Sequence, residues 1–573
     1  MTPDPGTDPQ AAPDGGTASG RTGTGTGSGA VTGSGRSTPP GAAGRRSGAL
    51  AWLERRGELA VTFAAAAVAA AVVVPLVWLV RTALGVDPRV ALSVAEVAEV
   101  AGNSALLVAA VTGASVALGV PLAYLTVRTD LPGRRLWTVA SSLPLVIPSY
   151  IGAFAFVSAF GPRGAFQRAL EPLGVERLPE IYGFPGAALV LTLYTYPYVF
   201  LTARAALKSM DARLVDAART LRHGRLSAFR RITWPRIRPA VAAGALLVAL
   251  YALSDFGTPA IMRFDVFTRV IYVELGSFGR DAAALYSLQL VVATLFILAI
   301  ESRVRDRSEG RQTTGRGGRE SRVRLGRWRW PATLLPAAVS GLALVVPLAI
   351  LLSWLLAGPG EVGRSLAFRP EYAVNSVAVA GGAAVVATVA GLPVAYLAAH
   401  RPDSRFASIF ERATYVGYGV PGVALGLALV FFGAQYATPI YQTVYLLVFA
   451  YVVRFLPQAV GSQRASFLGV DATLTDAART LGRTPRETFR QVTLPLVAPG
   501  LVAGAALVFL TTMKELPATL LLKPSGFDTL VTRIWTAHES GHFGYAAVPA
   551  LILLAVSAIS LLLVLGQEGY DVK

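Results

Sequence analysis

Cysteine is absent from this 573-residue chain, and charged residues are scarce, at 15% of the total. Without cysteine, the chain can form neither a disulfide framework nor a thiolate metal site. Soluble proteins usually carry about 25% charged residues, so the low charge argues against a soluble protein. The chain also lacks the Gly-x-x-x-x-Gly-Lys-Ser/Thr loop that cradles nucleotide phosphates, which excludes a P-loop ATPase.

The chain contains many long runs of apolar residues. Hydrophobic residues form 53% of the chain, and the mean hydropathy is +0.52. A helix of about 20 apolar residues crosses the hydrocarbon layer of a membrane. Suitable runs lie near residues 58–81, 100–127, 138–160, 185–206, 238–256, 283–301, 332–356, 373–399, 412–433, 441–460, 498–516 and 545–566. We therefore expect an all-α, polytopic membrane protein with about 12 transmembrane helices in the lipid bilayer.

The hexapeptide Asp-Ala-Ala-Arg-Thr-Leu occurs twice, at Asp216–Leu221 and at Asp476–Leu481. Each copy lies in a polar, basic stretch between apolar runs. Further matched pairs are Phe229 and Phe489, Pro235 and Pro495, Asn103-Ser104 and Asn375-Ser376, Pro197 and Pro457, Gly119 and Gly391, and Asp255 and Glu515. Internal duplication is a common build of transporters, so we expect two homologous halves.

The duplication and the composition divide the chain into four segments. Residues 1–50 are rich in Gly, Ser, Thr and Pro and too poor in apolar residues to fold, which predicts a disordered cytoplasmic tail. Residues 51–301 and 331–573 are the two predicted halves. Residues 302–330 form a basic linker, for which the lack of apolar periodicity predicts a flexible tether.

The formal net charge of +18 is unevenly placed. Arginines crowd the linker and the first repeated loop, whereas loops of the opposite parity carry acids such as Glu171 and Glu180. Because Lys and Arg accumulate on the cytoplasmic side, we expect both repeated loops, the linker and both termini to be cytoplasmic, in a multi-pass protein of the cell membrane. The basic loops flank spans and lack interleaved aromatics, so we expect no nucleic-acid partner.

Each repeated loop reads as a short helix, a break and a second helix. Asp471 is a candidate N-cap, and Gly482 follows the first helix of the second copy, where a left-handed residue often ends a helix. The adjacent alanines would leave a flat face for another protein, and the preceding aspartates, Asp216 and Asp476, would pair with a partner's arginine. The alternative is an amphipathic connector that lies on lipid headgroups.

At these residues the chain resembles the binding-protein-dependent ABC importer permeases, whose "EAA" loops seat a coupling helix on the ATPase subunit. Arg222 stands where the family has Gly, so we expect the first loop to turn two residues later, at Gly224. The coupling residues that the resemblance implies are Asp216, Ala217, Ala218, Gly224, Phe229, Pro235, Asp476, Ala477, Ala478, Gly482, Phe489 and Pro495.

The stretches after the repeated loops resemble fused, two-half permeases for ferric iron. Such stretches are Ser254–Tyr272 and Lys514–Leu530. The resemblance implies alternating access with two copies of an ABC ATPase subunit, which use ATP and Mg, and an extracytoplasmic solute-binding protein. It implies no catalysis by this chain and no cofactor bound to it. Thiamine or another small solute is the alternative cargo. An ion-driven secondary transporter is a further alternative, which would place buried acids in several spans.

Three ionisable residues, Asp255, Lys514 and Glu515, fall near the ends of corresponding spans. Ionisable groups in a bilayer usually face a cavity or a partner, so they form either a translocation path and gate or a network that joins the halves. Neighbours on a helix cannot both face one way, which predicts that Lys514 and Glu515 diverge.

A zinc-protease pattern, His-Glu-x-x-His, occurs at His538–His542. Zinc would require both histidines one turn apart on a regular helix, together with a third ligand. Ser540 and Gly541 weaken such a helix, so we expect no metal site here.

Overall fold

The computed structural model describes residues 41–86, 93–161, 164, 166–167, 171–174, 181–210, 224–277, 279–309, 323–357 and 367–567, to which every structural statement below refers. The chain divides into two units, Met1–Arg56 and Gly57–Lys573. Of the first unit, only residues 41–56 are described, and they are helical. Both repeated loops and the residues Asp255, Lys514 and Glu515 belong to the second unit.

The described residues are almost entirely helical, which confirms the all-α prediction. The helices up to the linker are α1 (Gly41–Leu84), α2 (Val94–Arg128), α3 (Arg134–Ser142), α4 (Ser149–Phe160), α5 (Phe184–Ser209), α6 (Arg225–Ala228), α7 (Trp234–Ser254), α8 (Gly257–Ile261), α9 (Phe267–Gly276) and α10 (Arg280–Glu309). Those after it are α11 (Leu334–Ser340), α12 (Val346–Ala357), α13 (Pro370–His400), α14 (Arg405–Gly419), α15 (Gly422–Tyr436), α16 (Val444–Leu468), α17 (Ala472–Thr480), α18 (Pro485–Thr488), α19 (Leu494–Met513), α20 (Pro517–Leu522), α21 (Leu530–Glu539) and α22 (Ala547–Gln567).

Ten stretches of described helix are long and apolar enough to span a membrane, and two bent pairs raise the number to 12. The apolar runs near 138–160 and 412–433 each form a pair of helices rather than one straight helix, with bends of 97° and 102°. Each bend falls at a proline, Pro148 or Pro421. The preceding residues are extended, with ψ of 121° at Ile147 and 123° at Val420. Proline sterically disfavours the helical conformation of the residue before it, so each helix ends there.

The halves interlock through their first long helices. Trp78 of α1 packs against Tyr436 in the second half, with ring centroids 4.5 Å apart. In return, the Tyr194 hydroxyl of the first half donates a hydrogen bond to Ala343 O, 3.2 Å away, in the turn between α11 and α12. Each half therefore completes the packing of the other. Division of the sequence at the linker did not predict this exchange.

Small residues allow the helices of each half to cross closely. At Gly119 of α2, a Cβ atom would lie 2.9 Å from the backbone nitrogen of Phe200 in α5, so a larger side chain would force the two helices apart. Inside a membrane the hydrophobic effect does not drive helices together, because lipid tails are as apolar as the side chains. Close packing at small residues drives helix association instead. It gives a structural reason for the duplicated glycine in the sequence.

One end of the bundle, which we call the loop end, gathers the repeated loops and the end of the linker. The Arg128 guanidinium of α2 donates to Leu207 O at 2.7 Å, where α5 approaches the first repeated loop. Val323 N donates to Arg128 O at 2.8 Å, and Leu325 N donates to the Asp130 carboxylate at 2.8 Å. The expectation of a flexible tether is therefore wrong for Val323–Leu325, because this part of the linker is hydrogen-bonded to the first half.

The opposite end carries the duplicated Asn-Ser pairs. Asn103 Nδ2 donates to Asp265 O at 3.0 Å, and Asn375 Nδ2 donates to Asp528 O at 2.9 Å. The neighbouring serine hydroxyls accept hydrogen bonds from Phe267 N (3.1 Å) and Leu530 N (2.8 Å), the first residues of α9 and α21. Such bonds satisfy amides that a helix leaves unpaired at its start. The two halves thus share the same local construction.

Candidate functional site

The first helix of the second repeated loop, α17, has both predicted ends. The Asp471 carboxylate accepts a hydrogen bond from Thr473 N at 2.9 Å, which caps the start of the helix and lowers the pKa of this carboxyl. Gly482 has a φ of 83°, and Arg483 N donates back to Ala478 O at 3.1 Å. This is the hydrogen bond of a helix end closed by a left-handed glycine.

The second helix of this loop, α18, begins with a capping box. Glu487 N donates to the Thr484 hydroxyl at 3.3 Å, and Thr484 N donates to the Glu487 carboxylate at 2.9 Å. The hydrogen bond from Thr484 N lowers the pKa of the Glu487 carboxyl. Reciprocal bonds of this kind fix where a helix starts. The sharp turn between α17 and α18 is therefore locally specified at both sides.

One face of α17 is apolar and exposed. Leu474 is 47% exposed and Leu481 is 84% exposed, and Ala477 and Asp476 are exposed beside them. Ala478 is buried, so the two alanines of the repeated hexapeptide face different ways. Leu474, Ala477 and Leu481 lie at helical spacing and form one stripe, which we call the α17 stripe. Its exposure fits a surface that another protein covers.

The first loop is described only from Gly224 onward. The predicted residues Asp216, Ala217 and Ala218, and also Arg222, lie outside the described residues, whereas Gly224, where we expect the turn, is described. Gly224 precedes α6, and its carbonyl accepts a hydrogen bond from Ala228 N at 2.9 Å. Thr484 makes the same backbone bond with Thr488 N, also at 2.9 Å. Gly224 thus takes the helix-start position that Thr484 holds in the second loop.

Both loops rejoin the bundle through a π-helical turn. The turns are Phe229–Thr233 and Phe489–Thr493, and they precede the helices that contain Pro235 and Pro495. A proline in the first turn of a helix lacks the N–H that a regular α-helix would use, and a wider turn accommodates this loss. Single π turns often occur at functional sites. The sequence repeat marked the position but not the type of turn.

The repeated phenylalanines anchor the loops to the long helices α2 and α13. The Phe229 ring meets Tyr124 at a centroid distance of 5.5 Å, and the Phe489 ring meets Tyr396 at 6.4 Å, both edge to face. Aromatic pairs of this geometry contribute about 0.5–1.5 kcal/mol beyond the area that they bury. The sequence pattern identified the phenylalanines, whereas it did not identify the tyrosines as their partners.

A cavity of about 190 Å³ lies between the halves, and Asp255, Lys514 and Glu515 all line it. The expected divergence of Lys514 and Glu515 assumed a shared helix, but α19 ends at Met513 and the two residues follow it. Lys514 Nζ donates to Leu145 O at 3.0 Å. The sequence therefore identified three residues that the fold brings together.

The two acids of the cavity are held in the same way. Asp255 accepts a hydrogen bond from Thr258 N at 2.9 Å, and Glu515 accepts one from Ala518 N at 3.2 Å. These amides belong to the short helices α8 and α20. Acids at a helix start are stabilised by its unpaired amides and its dipole. Each carboxylate is thus fixed to the backbone of its own half.

The remaining partners of the acids differ between the halves. Asp255 accepts a hydrogen bond from the Ser149 hydroxyl at 2.5 Å, and Tyr251 donates to the same hydroxyl at 3.3 Å. Glu515 instead pairs with Arg454 Nη1 at 2.6 Å, and both side chains are largely buried. Sequence reasoning missed Arg454, although a lone arginine inside the apolar run 441–460 was a usable signal.

The zinc-protease pattern does not form a metal site. Helix α21 ends at Glu539, and Gly541 has a φ of 71°, so the two histidines do not lie on one regular helix. His538 lies against the Phe154 ring, with centroids 5.4 Å apart. Within the described residues, no group of three His, Cys, Asp or Glu side chains is arranged to hold a metal ion.

Residues 115–312 and 391–567 match the family described as the binding-protein-dependent transport system inner membrane component. The chain belongs to this family. Because the family domain occurs twice, the protein is an ABC importer permease with both halves fused in one chain. This family works with separate ATPase and solute-binding subunits.

Several relatives of the permease carry names that specify a cargo. It is 30% identical over 476 residues to the Fe(3+)-transport system permease protein FbpB 2 of Haemophilus influenzae, which covers 81% of this chain and 89% of the relative. It is 26% identical over 480 residues to the ferric transport system permease protein FbpB of Actinobacillus pleuropneumoniae, or 80% and 70% of the two chains. The molybdenum permease ModB of Escherichia coli is 31% identical over 144 residues, which is 25% of this chain and 62% of the relative.

Proposed function

We propose that this permease imports ferric iron. The observation that carries the proposal is the match of 81% of the chain, through both halves, to a permease named for Fe(3+) transport. The similarity to the molybdenum permease extends over only 25% of this chain. Acids and tyrosines of the central cavity also suit a hard cation, which prefers oxygen ligands.

The proposed mechanism is alternating access driven by ATP. Two ATPase subunits bind ATP and Mg, and each engages one repeated loop. Closure of the ATPase dimer moves both loops, and the halves rock so that the cavity opens to the solute-binding protein. The exposed α17 stripe beside Asp476 supports this docking. The permease itself binds no cofactor and catalyses no reaction.

The proposed orientation places the loop end in the cytoplasm, together with both termini. The excess of arginine in the linker and in the first loop supports it. The division into a tail of residues 1–50, a linker of residues 302–330 and two halves of residues 51–301 and 331–573 belongs to the same proposal. A cysteine placed at Gly315 tests it, since the native chain has none. An impermeant maleimide should label this cysteine only after lysis, and labelling of intact cells would contradict the orientation.

The cargo can be tested on the solute-binding protein that the permease receives. We expect the binding protein encoded beside the permease gene to bind Fe³⁺ in a calorimetric screen that includes molybdate and thiamine. Deletion of the permease gene should abolish cellular uptake of ⁵⁵Fe³⁺ and leave molybdate and thiamine uptake unchanged. Loss of molybdate or thiamine uptake, with iron uptake intact, would contradict the proposal.

A further inference from the structure

The acids and the cations of the central cavity are held in different ways. Asp255 and Glu515 occupy the same position in the two halves, and each carboxylate is bonded to the amide of its own short helix. Their short tethers hold the two negative charges in place. The cations, Arg454 and Lys514, lie at the ends of long side chains with many rotamers.

The cations have no counterparts in the first half. Arg454 lies three residues before Pro457, and the matching position before Pro197 is Tyr194. Lys514 precedes Glu515, and the matching residue before Asp255 is Ser254. The duplication therefore retains the acids and adds the cations to one half alone.

The second half makes room for Arg454 beside Glu515. Ser149, which bonds Asp255, follows the helix-breaking Pro148, and Gly422 follows the matching Pro421. A Cβ atom on Gly422 would lie 1.7 Å from Arg454 Nη1 and 2.4 Å from the Glu515 carboxylate. A glycine at this position is thus required for the ion pair.

The cavity also contains a hydroxyl oxygen that forms no hydrogen bond within the described residues, that of Tyr150. Tyr150 lines the cavity and is 5% exposed, and its hydroxyl has no hydrogen-bond partner among the described residues. A buried polar group without a partner is costly, and this hydroxyl is therefore available to a group that enters the cavity. Asp255, which lines the same cavity, forms no ion pair within the described part of the chain. Both groups would gain a partner if a cation entered.

We propose that Asp255, Glu515 and Tyr150 form a transit site for a hard, oxygen-liganded cation, and that Arg454 occupies the cation's place at Glu515 until cargo arrives. The inference rests on the proposed import of ferric iron. It adds the residues that bind the iron in transit and a residue, Arg454, that competes with the iron for Glu515. Arg454 neutralises Glu515 in the empty transporter. Arriving cargo displaces the guanidinium, and the return of Arg454 releases the cargo.

A competitor of this kind solves a problem that every transport site has. Cargo must bind well enough to enter and weakly enough to leave. Two rigid carboxylates and a phenol would trap a trivalent cation if nothing competed for them. Arg454 weakens that binding and prevents an uncompensated buried charge when the site is empty. Lys514, bonded to Leu145 O, stays in place and adds positive charge near the site.

The test measures iron retained by the permease. The complete transporter, with its ATPase, is placed in lipid nanodiscs, equilibrated with ⁵⁵Fe³⁺ citrate and washed with iron-free binding protein. We expect Arg454→Met to retain at least about tenfold more iron than the wild type, which corresponds to about 1.4 kcal/mol. Addition of Glu515→Gln should abolish the excess, and addition of Tyr150→Phe should reduce it. Arg454→Lys keeps the charge and should retain no more iron than the wild type.

A second variant covers the case in which Arg454→Met does not assemble. Arg454→Gln keeps a polar side chain but removes the charge, and it should also retain excess iron. Normal assembly of these variants with iron retention equal to the wild type would overturn the inference alone. If wild-type proteoliposomes import no ⁵⁵Fe³⁺, the proposed cargo is wrong as well. Import of molybdate that depends on Arg454 would show that Arg454 binds an anionic cargo, which would overturn both.

Discussion

The ion pair of Arg454 and Glu515 allows a quantitative prediction. Nη1 and Oε1 are 2.6 Å apart, and the side chains are 15% and 7% exposed. At this distance two unit charges attract by about 6 kcal/mol if the effective dielectric constant is about 20. Removal of one partner from such a buried pair typically destabilises a protein by about 3–5 kcal/mol, because the other charge is left uncompensated. We expect Arg454→Met and Glu515→Gln each to have an effect of this size.

The double variant Arg454→Met/Glu515→Gln removes both charges and nearly conserves side-chain volume. It should therefore be much less destabilised than the sum of the single variants. The free energy of unfolding would be measured by reversible SDS titration in mixed micelles, with tryptophan fluorescence as the signal. The surface pair of Arg369 and Glu371, 3.4 Å apart and exposed, is the matched control and should show coupling below about 1 kcal/mol. Additive effects at Arg454 and Glu515 would refute the coupling that the structure indicates.

Three further predictions concern the repeated loops. Asp216→Lys and Asp476→Lys should each weaken co-purification with the ATPase and lower uptake, because attraction at the docking surface becomes repulsion; normal assembly and uptake of the double variant would contradict docking there. Gly482→Val should lower substrate-stimulated ATP hydrolysis, since a side chain at a φ of 83° costs about 1–2 kcal/mol. Gly224→Val is the control and should have a smaller effect, because Gly224 holds the helix-start position of Thr484 and an added Cβ atom would meet no other atom within 4 Å. Equal losses in the two variants would contradict the role of the left-handed turn at Gly482. Phe489→Ala should leave ATPase binding intact and lower the cargo moved per ATP, because the contact with Tyr396 is lost. Phe489→Tyr is the control. An unchanged amount of cargo per ATP in Phe489→Ala would contradict transmission of movement through this contact.

The sequence predicted where the membrane spans lie better than it predicted which of them bend. An apolar run identifies a segment that belongs in a membrane, but average hydropathy carries no information on its course. The bends at Pro148 and Pro421 therefore escaped the run count, although the residue before each proline was a local signal. The exchange of first helices between halves had no signal of this kind. It depends on side-chain fit at Trp78 and Tyr194, which only the folded chain reveals.

The candidate site was predictable where the duplication repeated a chemical group. Asp255 and Glu515 were identified because an acid recurs at one position in two apolar segments. Arg454 escaped because its counterpart is a tyrosine, so the repeat did not mark it. Tyr150 escaped because an aromatic residue in an apolar run resembles core packing. Differences between the halves, more than their similarities, define the charge of the cavity.

The most direct test of the central claim is energised uptake of iron by the purified permease. Proteoliposomes that contain the permease and its ATPase would be supplied with ⁵⁵Fe³⁺-loaded binding protein. We predict uptake only when ATP and Mg reach the ATPase, with no uptake when an ion gradient replaces ATP. Uptake driven by an ion gradient without the ATPase would contradict the account and identify a secondary transporter.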